Sequence, residues 1–317
     1  MINNHRVFIT GGAGFIGSAV ADRLLDSNSV TLFDNLHRGT FDDRMVMNHP
    51  QVQLVRGDIL DADALASAIA DHDIIIHCAA IAGIDSVVKN PVLTMVTNMI
   101  GSANVLQAAL EFTEPEAVLC LTTSEVFGPQ ADRVDETSPA IIGPPGEPRW
   151  TYAAGKLAEE HLALAYHHQH SLPVVILRPF NVYGPGQVGE GAIRNFIIKA
   201  LANEDLTLHG GGGQVRSWCY VDDMVDAVIR AASTPSAVGR TFNIGNADTL
   251  ISIRELAELI VDLCGSHSAI LDGPATSADI HVRNPCVDRA RELLGFEADV
   301  GLKEGLLRTI ERARLAT

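Results

Sequence analysis

A chain of 317 residues, 47% of them hydrophobic, carries enough apolar side chain for a large core, which excludes a disordered or fibrous protein. Its 39 acidic residues against 23 basic ones leave a formal charge of −16, and so acidic a surface repels phosphate backbones and argues against a nucleic-acid binder. The five cysteines are scattered without CxxC pairs, no run reaches the roughly 18 apolar residues of a membrane span, and the first residues lack a signal-like apolar stretch. A cytoplasmic protein with reduced thiols, no membrane partner and no metal site is expected.

Val7–Thr10 is a continuous apolar run, as in a strand covered on both faces. Residues 14–27 read as a helix, Val30–Phe33 and Val52–Arg56 as strands, and Asp61–Ala70 as a helix with Asp61 at its N-cap. Asp73–His77 reads as a strand, 91–111 as one long helix, Ala117–Thr122 as a strand, 151–170 as a helix and Val174–Arg178 as a strand. This alternation predicts an α/β fold with a doubly wound parallel sheet. The stretch 129–149, with five prolines, reads as a surface excursion. Beyond Pro179, Gly and Pro cluster at 184–191 and 210–213, between shorter helices at 191–202, 221–232, 252–264, 286–294 and 301–313. The expected division is a dinucleotide-binding domain over 1–178, rejoined by a strand near 241–246, and a smaller C-terminal α/β substrate-binding domain over 179–317.

Thr10-Gly11-Gly12-Ala13-Gly14-Phe15-Ile16-Gly17 follows the first strand and opens a helix. Gly12, Gly14 and Gly17 satisfy GxGxxG, and Gly11, Gly14 and Gly17 satisfy GxxGxxG. Glycines here permit a tight turn and let a pyrophosphate approach free N–H groups at the helix start. Twenty residues beyond Gly14, Asp34 ends the second strand, where a carboxylate accepts from a ribose hydroxyl and repels a 2′-phosphate. The pattern favours NAD over NADP, with Arg38 nearby able to soften the preference. Asp58, in Gly57-Asp58-Ile59 after the third strand, falls near the adenine, and the small Ala79 and Ala80 after His77-Cys78 let a cofactor lie close.

Tyr152 and Lys156, four residues apart, share one face of a helix, and an ammonium beside a phenol favours the phenolate. With Thr123-Ser124-Glu125 at the fifth strand's end, these residues make a catalytic constellation. His167, His168 and His170 lie at a helix end without partner ligands and read as a solvated turn.

These motifs, with Asn35, Asn98, the run Arg178–Pro185 and the run Arg216–Asp223, resemble the extended short-chain dehydrogenase/reductase family, and within it the NAD-dependent nucleotide-sugar epimerases, dehydratases and decarboxylases. The resemblance covers essentially the whole chain and implies a Rossmann-type fold, bound NAD, a nucleotide-sugar substrate (a UDP-sugar by default) and a homodimer built on helices 91–111 and 151–170. It implies a hydroxyl at Thr123 sharing the sugar O4 with Tyr152, Tyr152 as base and Lys156 on the nicotinamide ribose. Asn181 and Asn195 would meet the diphosphate, Arg216 would clamp it, and Arg283 is a second clamp candidate. A 4-keto sugar formed this way can be epimerised, dehydrated or decarboxylated. Glu125 can move a proton at carbon 5, which the last two need. The hexose 4,6-dehydratases with an Asp-Glu pair have Asp where this chain has Ser124. Thr-Ser-Glu with Arg149-Trp150 is closer to the uronic-acid decarboxylases, so the expectation is a UDP-glucuronate decarboxylase. A 4-epimerase is the alternative, with a dehydratase, a catalytically idle NAD-binding relative and an NADH-releasing dehydrogenase behind it.

Overall fold

The computed structural model describes residues 2–37, 49–274 and 280–315; Arg38 lies outside them. Among the described residues, β1 (Arg6–Thr10), β2 (Ser29–Asp34), β3 (Val52–Arg56), β4 (Ile74–His77), β5 (Ala117–Leu121), β6 (Val174–Pro179) and β7 (Arg240–Ile244) form one sheet. Its order is β7-β6-β5-β4-β1-β2-β3, and every neighbouring pair is parallel. The sheet is the doubly wound Rossmann-type arrangement that the alternating pattern predicts. Because the order reverses between β1 and β4, their C-terminal ends open a crevice there, which is where open α/β sheets take ligands.

Successive side chains on a strand point to opposite faces, and both faces are apolar here. Val7, Ile9, Leu32 and Phe242 pack one face against Val20, Val225 and Val228, whereas Phe8, Ile75, Val118 and Ile176 pack the other against Leu65, Val105 and Ala163. A third core gathers Phe196, Trp218, Leu256 and Leu306 from the C-terminal part, joining helices Ala192–Leu201, Ile253–Cys264 and Leu302–Leu315. The Asp61 side chain caps helix Ala62–Ile69 by accepting from the Ala64 N–H at 3.1 Å. Among the described residues no helix is long and apolar enough to cross a membrane.

Two elements differ from the expectation. The long helix over 91–111 is Pro91–Val96, a π turn at Thr97–Gly101 and then Ser102–Phe112, and a short helix Ile84–Lys89 precedes it. The 129–149 stretch is no mere surface excursion. Its Gln130–Val134 is a strand in a four-stranded sheet ordered Ile251–Ser252, Val215–Arg216, Val282–Pro285, Gln130–Val134. Burial of Ala131 with Val126, Phe127 and Phe180 explains it, since one small inward side chain suffices to seat a strand whose polar neighbours face out.

Candidate active site

The turn after β1 is shaped by its glycines. Gly11 has φ +64°, and a Cβ there would lie 2.7 Å from the Ala79 backbone; a Cβ on Gly17 would run into the Gly11 carbonyl. The loop therefore lies against Ala79, whose N–H donates to Thr10 Oγ1 at 3.3 Å, and Gly14 is the N-cap of helix Phe15–Leu24, with no side-chain cap hydrogen bond. Asp34 accepts from the N–H groups of Ala13 and Leu36, at 3.0 and 2.8 Å, which ties the loop to the end of β2. Asn35 donates to Asp58, which also accepts from Leu60 N–H, while the Ile59 carbonyl accepts from Asn104. Phe15, Ile16 and Ala80 are partly exposed beside this crevice-forming turn. Buried Asn98, inside the π turn, spends both ends of its amide on the Ile81 backbone, at 2.9 and 3.0 Å. Its side chain fixes the loop that carries Ala79 and Ala80.

Beyond β5 the chain turns tightly. Thr123 caps a 3₁₀ turn, Ser124–Phe127, by accepting from the Glu125 N–H at 3.2 Å, so Glu125 stands on that turn and not on the strand end itself. The Thr123 hydroxyl faces the Tyr152 phenol and favours its ionised form, whereas the Glu125 charge opposes ionisation. Tyr152 comes from the first turn of helix Trp150–His170, with Lys156 one turn on. Lys156 is fully buried; its Nζ donates to the Leu121 carbonyl at 2.8 Å and to Glu159 at 2.7 Å. Burial holds the Tyr152 phenol above its usual range even though Lys156 pulls it down; the charges of Glu125 and then of Glu159, which engages that ammonium, oppose the pull.

Two guanidiniums surround Glu125. Arg149 Nη2 stands 3.9 Å from Glu125 Oε2. Arg283, 2% exposed, donates to the Ser124 carbonyl, and burial pulls it down to about 10 with Glu125 opposing the fall. Arg149 Nε and Arg283 Nη2 are buried without a hydrogen-bond partner, a costly state for charged donors. Arg283 is thus an interior residue under Ser124, carried there by the strand paired with Gln130–Val134. Arg216, beside it in the ladder, donates to the carbonyls of Val215, His281 and Ile280. Asn181, at φ +42°, donates to the Ser217 carbonyl at 2.8 Å, and Asn195 is exposed on helix Ala192–Leu201.

The structure thus brings Thr123, Ser124, Glu125, Tyr152, Lys156 and Arg283 together, and adds Glu159, which motif reading passed over, and Arg149, which it used only as part of the resemblance. Glu159 had a signal, since a residue three positions after Lys156 shares its helix face. Arg149 was named for its place before Trp150, but its approach to Glu125 depends on the turn-rich segment between them.

The sequence profile of the NAD dependent epimerase/dehydratase family matches residues 7–245. A UDP-N-acetyl-alpha-D-glucosaminuronate decarboxylase of Bacillus cytotoxicus is 36% identical over 96% of this chain and 97% of its own length. UDP-glucuronic acid decarboxylase 5 of Arabidopsis thaliana is likewise 36% identical, over 96% of this chain and 88% of its own. The UDP-glucuronic acid 4-epimerase of Bacillus cereus, solved with UDP-glucuronic acid and NAD, superposes with a TM-score of 0.90 at 27% identity, covering 98% of this chain and all of that one. With the glycine turn, Asp34 and the Tyr152–Lys156 pair in one crevice, the chain belongs to the NAD-dependent epimerase/dehydratase family, and NAD is its cofactor.

Proposed function

We propose that this protein is a UDP-uronate decarboxylase, with UDP-glucuronate as the leading substrate. The observation that carries the reading is Glu125 beside the Tyr152 phenol, flanked by Arg149 and by Arg283 with buried, unpartnered guanidinium nitrogens. A neutral hexose leaves such cations without an anion; a carbon 6 carboxylate supplies one.

The glycine turn fits NAD: Gly11 and Gly17 leave no room for a Cβ, so backbone alone faces the diphosphate at the start of helix Phe15–Leu24. Asp34 would take the adenosine ribose, Asp58 and Ile59 the adenine, and Tyr152 with Lys156 the nicotinamide ribose. When bound, NAD supplies a reversible hydride acceptor. Tyr152 removes the O4 proton while Thr123 hydrogen-bonds that oxygen, and the resulting 4-ketone makes the uronate a β-keto acid. The bond between carbons 5 and 6 then breaks, carbon dioxide leaves, and its electron pair passes into the enolate. Glu125 delivers a proton to carbon 5. Asn181, Asn195 and Arg216 hold the nucleotide diphosphate, within the mainly C-terminal sugar-binding part.

We assign a cytoplasmic homodimer on the exposed apolar stripe of Val88, Val92, Leu93, Val96 and Ile100; Val92 is 76% exposed, which water disfavours in a contiguous patch. The test of function is NMR of product mixtures, with released carbon dioxide measured, from UDP-glucuronate, UDP-N-acetylglucosaminuronate, UDP-glucose, UDP-GlcNAc, dTDP-glucose and GDP-mannose. Carbon dioxide and a pentose product from a uronate are expected. A 4-epimer with all carbons retained overturns the reading in favour of the epimerase, and steady NADH release favours a dehydrogenase.

A further inference from the structure

Beneath the catalytic pair runs a buried chain of hydrogen bonds from the nucleotide turn to Lys156. The Ala79 N–H reaches Thr10 Oγ1 at 3.3 Å, Thr10 Oγ1 lies 2.7 Å from His77 Nδ1, and His77 Nε2 lies 2.8 Å from Ser102 Oγ. Ser102 Oγ donates to Glu159 Oε2 at 3.1 Å, the same oxygen that takes Lys156 Nζ at 2.7 Å. The Ser102 hydroxyl has one proton and faces two acceptors, the Asn98 carbonyl at 2.8 Å and Glu159 Oε2 at 3.1 Å. Ser102 and Lys156 thus converge on one oxygen of Glu159, an arrangement suited to an anion. Both Lys156 and Glu159 are 1% exposed, so their charges are hardly screened by water.

An ammonium has three N–H groups. Two are engaged, by Leu121 and Glu159, leaving one for the phenol side of the site. We propose that Glu159 is a positioning residue which holds the Lys156 ammonium as its counter-ion and so limits how strongly that ammonium favours the Tyr152 phenolate that takes the O4 proton. The inference rests on the reading of Tyr152 and Lys156 as the working pair.

The groups around that pair fit the assignment. On their own helix, Glu160 is paired with Arg178. From β4, His77 is held well below its usual value by burial and then by Lys156, so it is neutral; Cys78 is pushed up to about 12 by burial and stays a thiol. From β5, burial likewise pushes Cys120 up. From the 3₁₀ turn, Glu125 faces Tyr152 but is flanked by Arg149 and Arg283. Glu159 is therefore the carboxylate that neutralises Lys156 directly. Its raised carboxyl, with burial the larger cause and Lys156 and Ser102 opposing, marks the cost of keeping a charge there.

The test is a phenolate absorbance titration of the sugar-free protein. The difference against Tyr152→Phe isolates Tyr152 from the other three of the four tyrosines. In Glu159→Gln, which preserves shape and can still accept from Lys156, the Tyr152 midpoint should fall by roughly one pH unit, a tenfold change in its ionisation constant. Glu159→Asp keeps the charge but withdraws it by a methylene, and should move the midpoint the same way by less. Should the Gln variant not fold, the Asp variant decides alone. A midpoint unmoved in the folded variants reduces Glu159 to a packing residue and overturns the inference. Turnover retained by Tyr152→Phe would instead overturn the site reading, so the two failures are distinguishable.

Discussion

Replacing Glu125 by Gln removes a charge and a transferable proton while keeping size and most hydrogen-bonding capacity. Two effects follow, with opposite signs for binding and turnover. Glu125 Oε2 lies 3.9 Å from Arg149 Nη2, an attraction of about 4 kcal/mol at an effective dielectric near 20. The Glu125 side chain is 27% exposed, and water and side-chain entropy reduce that to roughly 1 kcal/mol net. Losing it frees Arg149 for an anionic substrate, so the uronate should bind up to about fivefold more tightly, a gain of about 1 kcal/mol. The proton delivered to carbon 5 is lost altogether, which should lower kcat by roughly 100- to 10,000-fold, or about 3–5 kcal/mol of barrier. The assay is stopped-flow nicotinamide absorbance with carbon dioxide release followed in parallel. A rise in reduced nicotinamide that persists, with carbon 5 protonation slowed and KM lowered, is the expected signature. Carbon dioxide and finished product at near-normal rates would refute the role of Glu125, and a raised KM with unchanged kcat would refute the electrostatic argument.

Tyr152→Phe should lower turnover by on the order of 100- to 10,000-fold while NAD still binds, checked by equilibrium titration of the dinucleotide alongside the kinetics. Gly17→Ala should abolish NAD binding or lower the Tm sharply, because its Cβ would meet the Gly11 carbonyl backbone, which has no flexible end to move aside; a variant that binds NAD normally contradicts the cradle. Val92→Lys combined with Val96→Lys should convert a dimer to monomer by light scattering at micromolar concentration, and a wild-type monomer under those conditions refutes the interface.

Strands β1, β4, β5 and β6 were legible because each is a short apolar run buried on both faces, and an Asp before an amphipathic stretch located one helix start. The strand Gln130–Val134 was hidden because only Ala131 is fully buried, so hydrophobic periodicity carries almost nothing. Arg283 was nameable by position but not by role. Its contact with Ser124 spans 159 residues and depends on a strand pairing that no local signal encodes. Glu125 was found by its neighbours in sequence, but its orientation comes from the 3₁₀ turn that Thr123 caps. The depressing influence of Lys156 on Tyr152 was foreseen, whereas the Glu159 carboxylate that diverts it became visible only with burial and distance in hand.

The π turn at Thr97–Gly101 acts as a phase setter. A π turn amounts to one residue inserted into an α-helix, and on a helix one residue is about 100° of rotation. On its N-terminal side lies the apolar stripe containing Val92 and Val96; within it Asn98 grips Ile81; immediately after it Ser102 meets His77 and Glu159. Deleting a residue from the regular winding beside the π turn would swing the stripe about a quarter-turn relative to Ser102, whereas deleting one inside it, such as Met99, would remove the bulge and displace Asn98 instead. Either the apolar stripe or the Asn98 grip on the Ile81 loop would then lose its alignment. The segment's length thus sets the apolar stripe against the buried Ser102 contacts, and single-residue insertions or deletions there are far less tolerable than substitutions on the same surface.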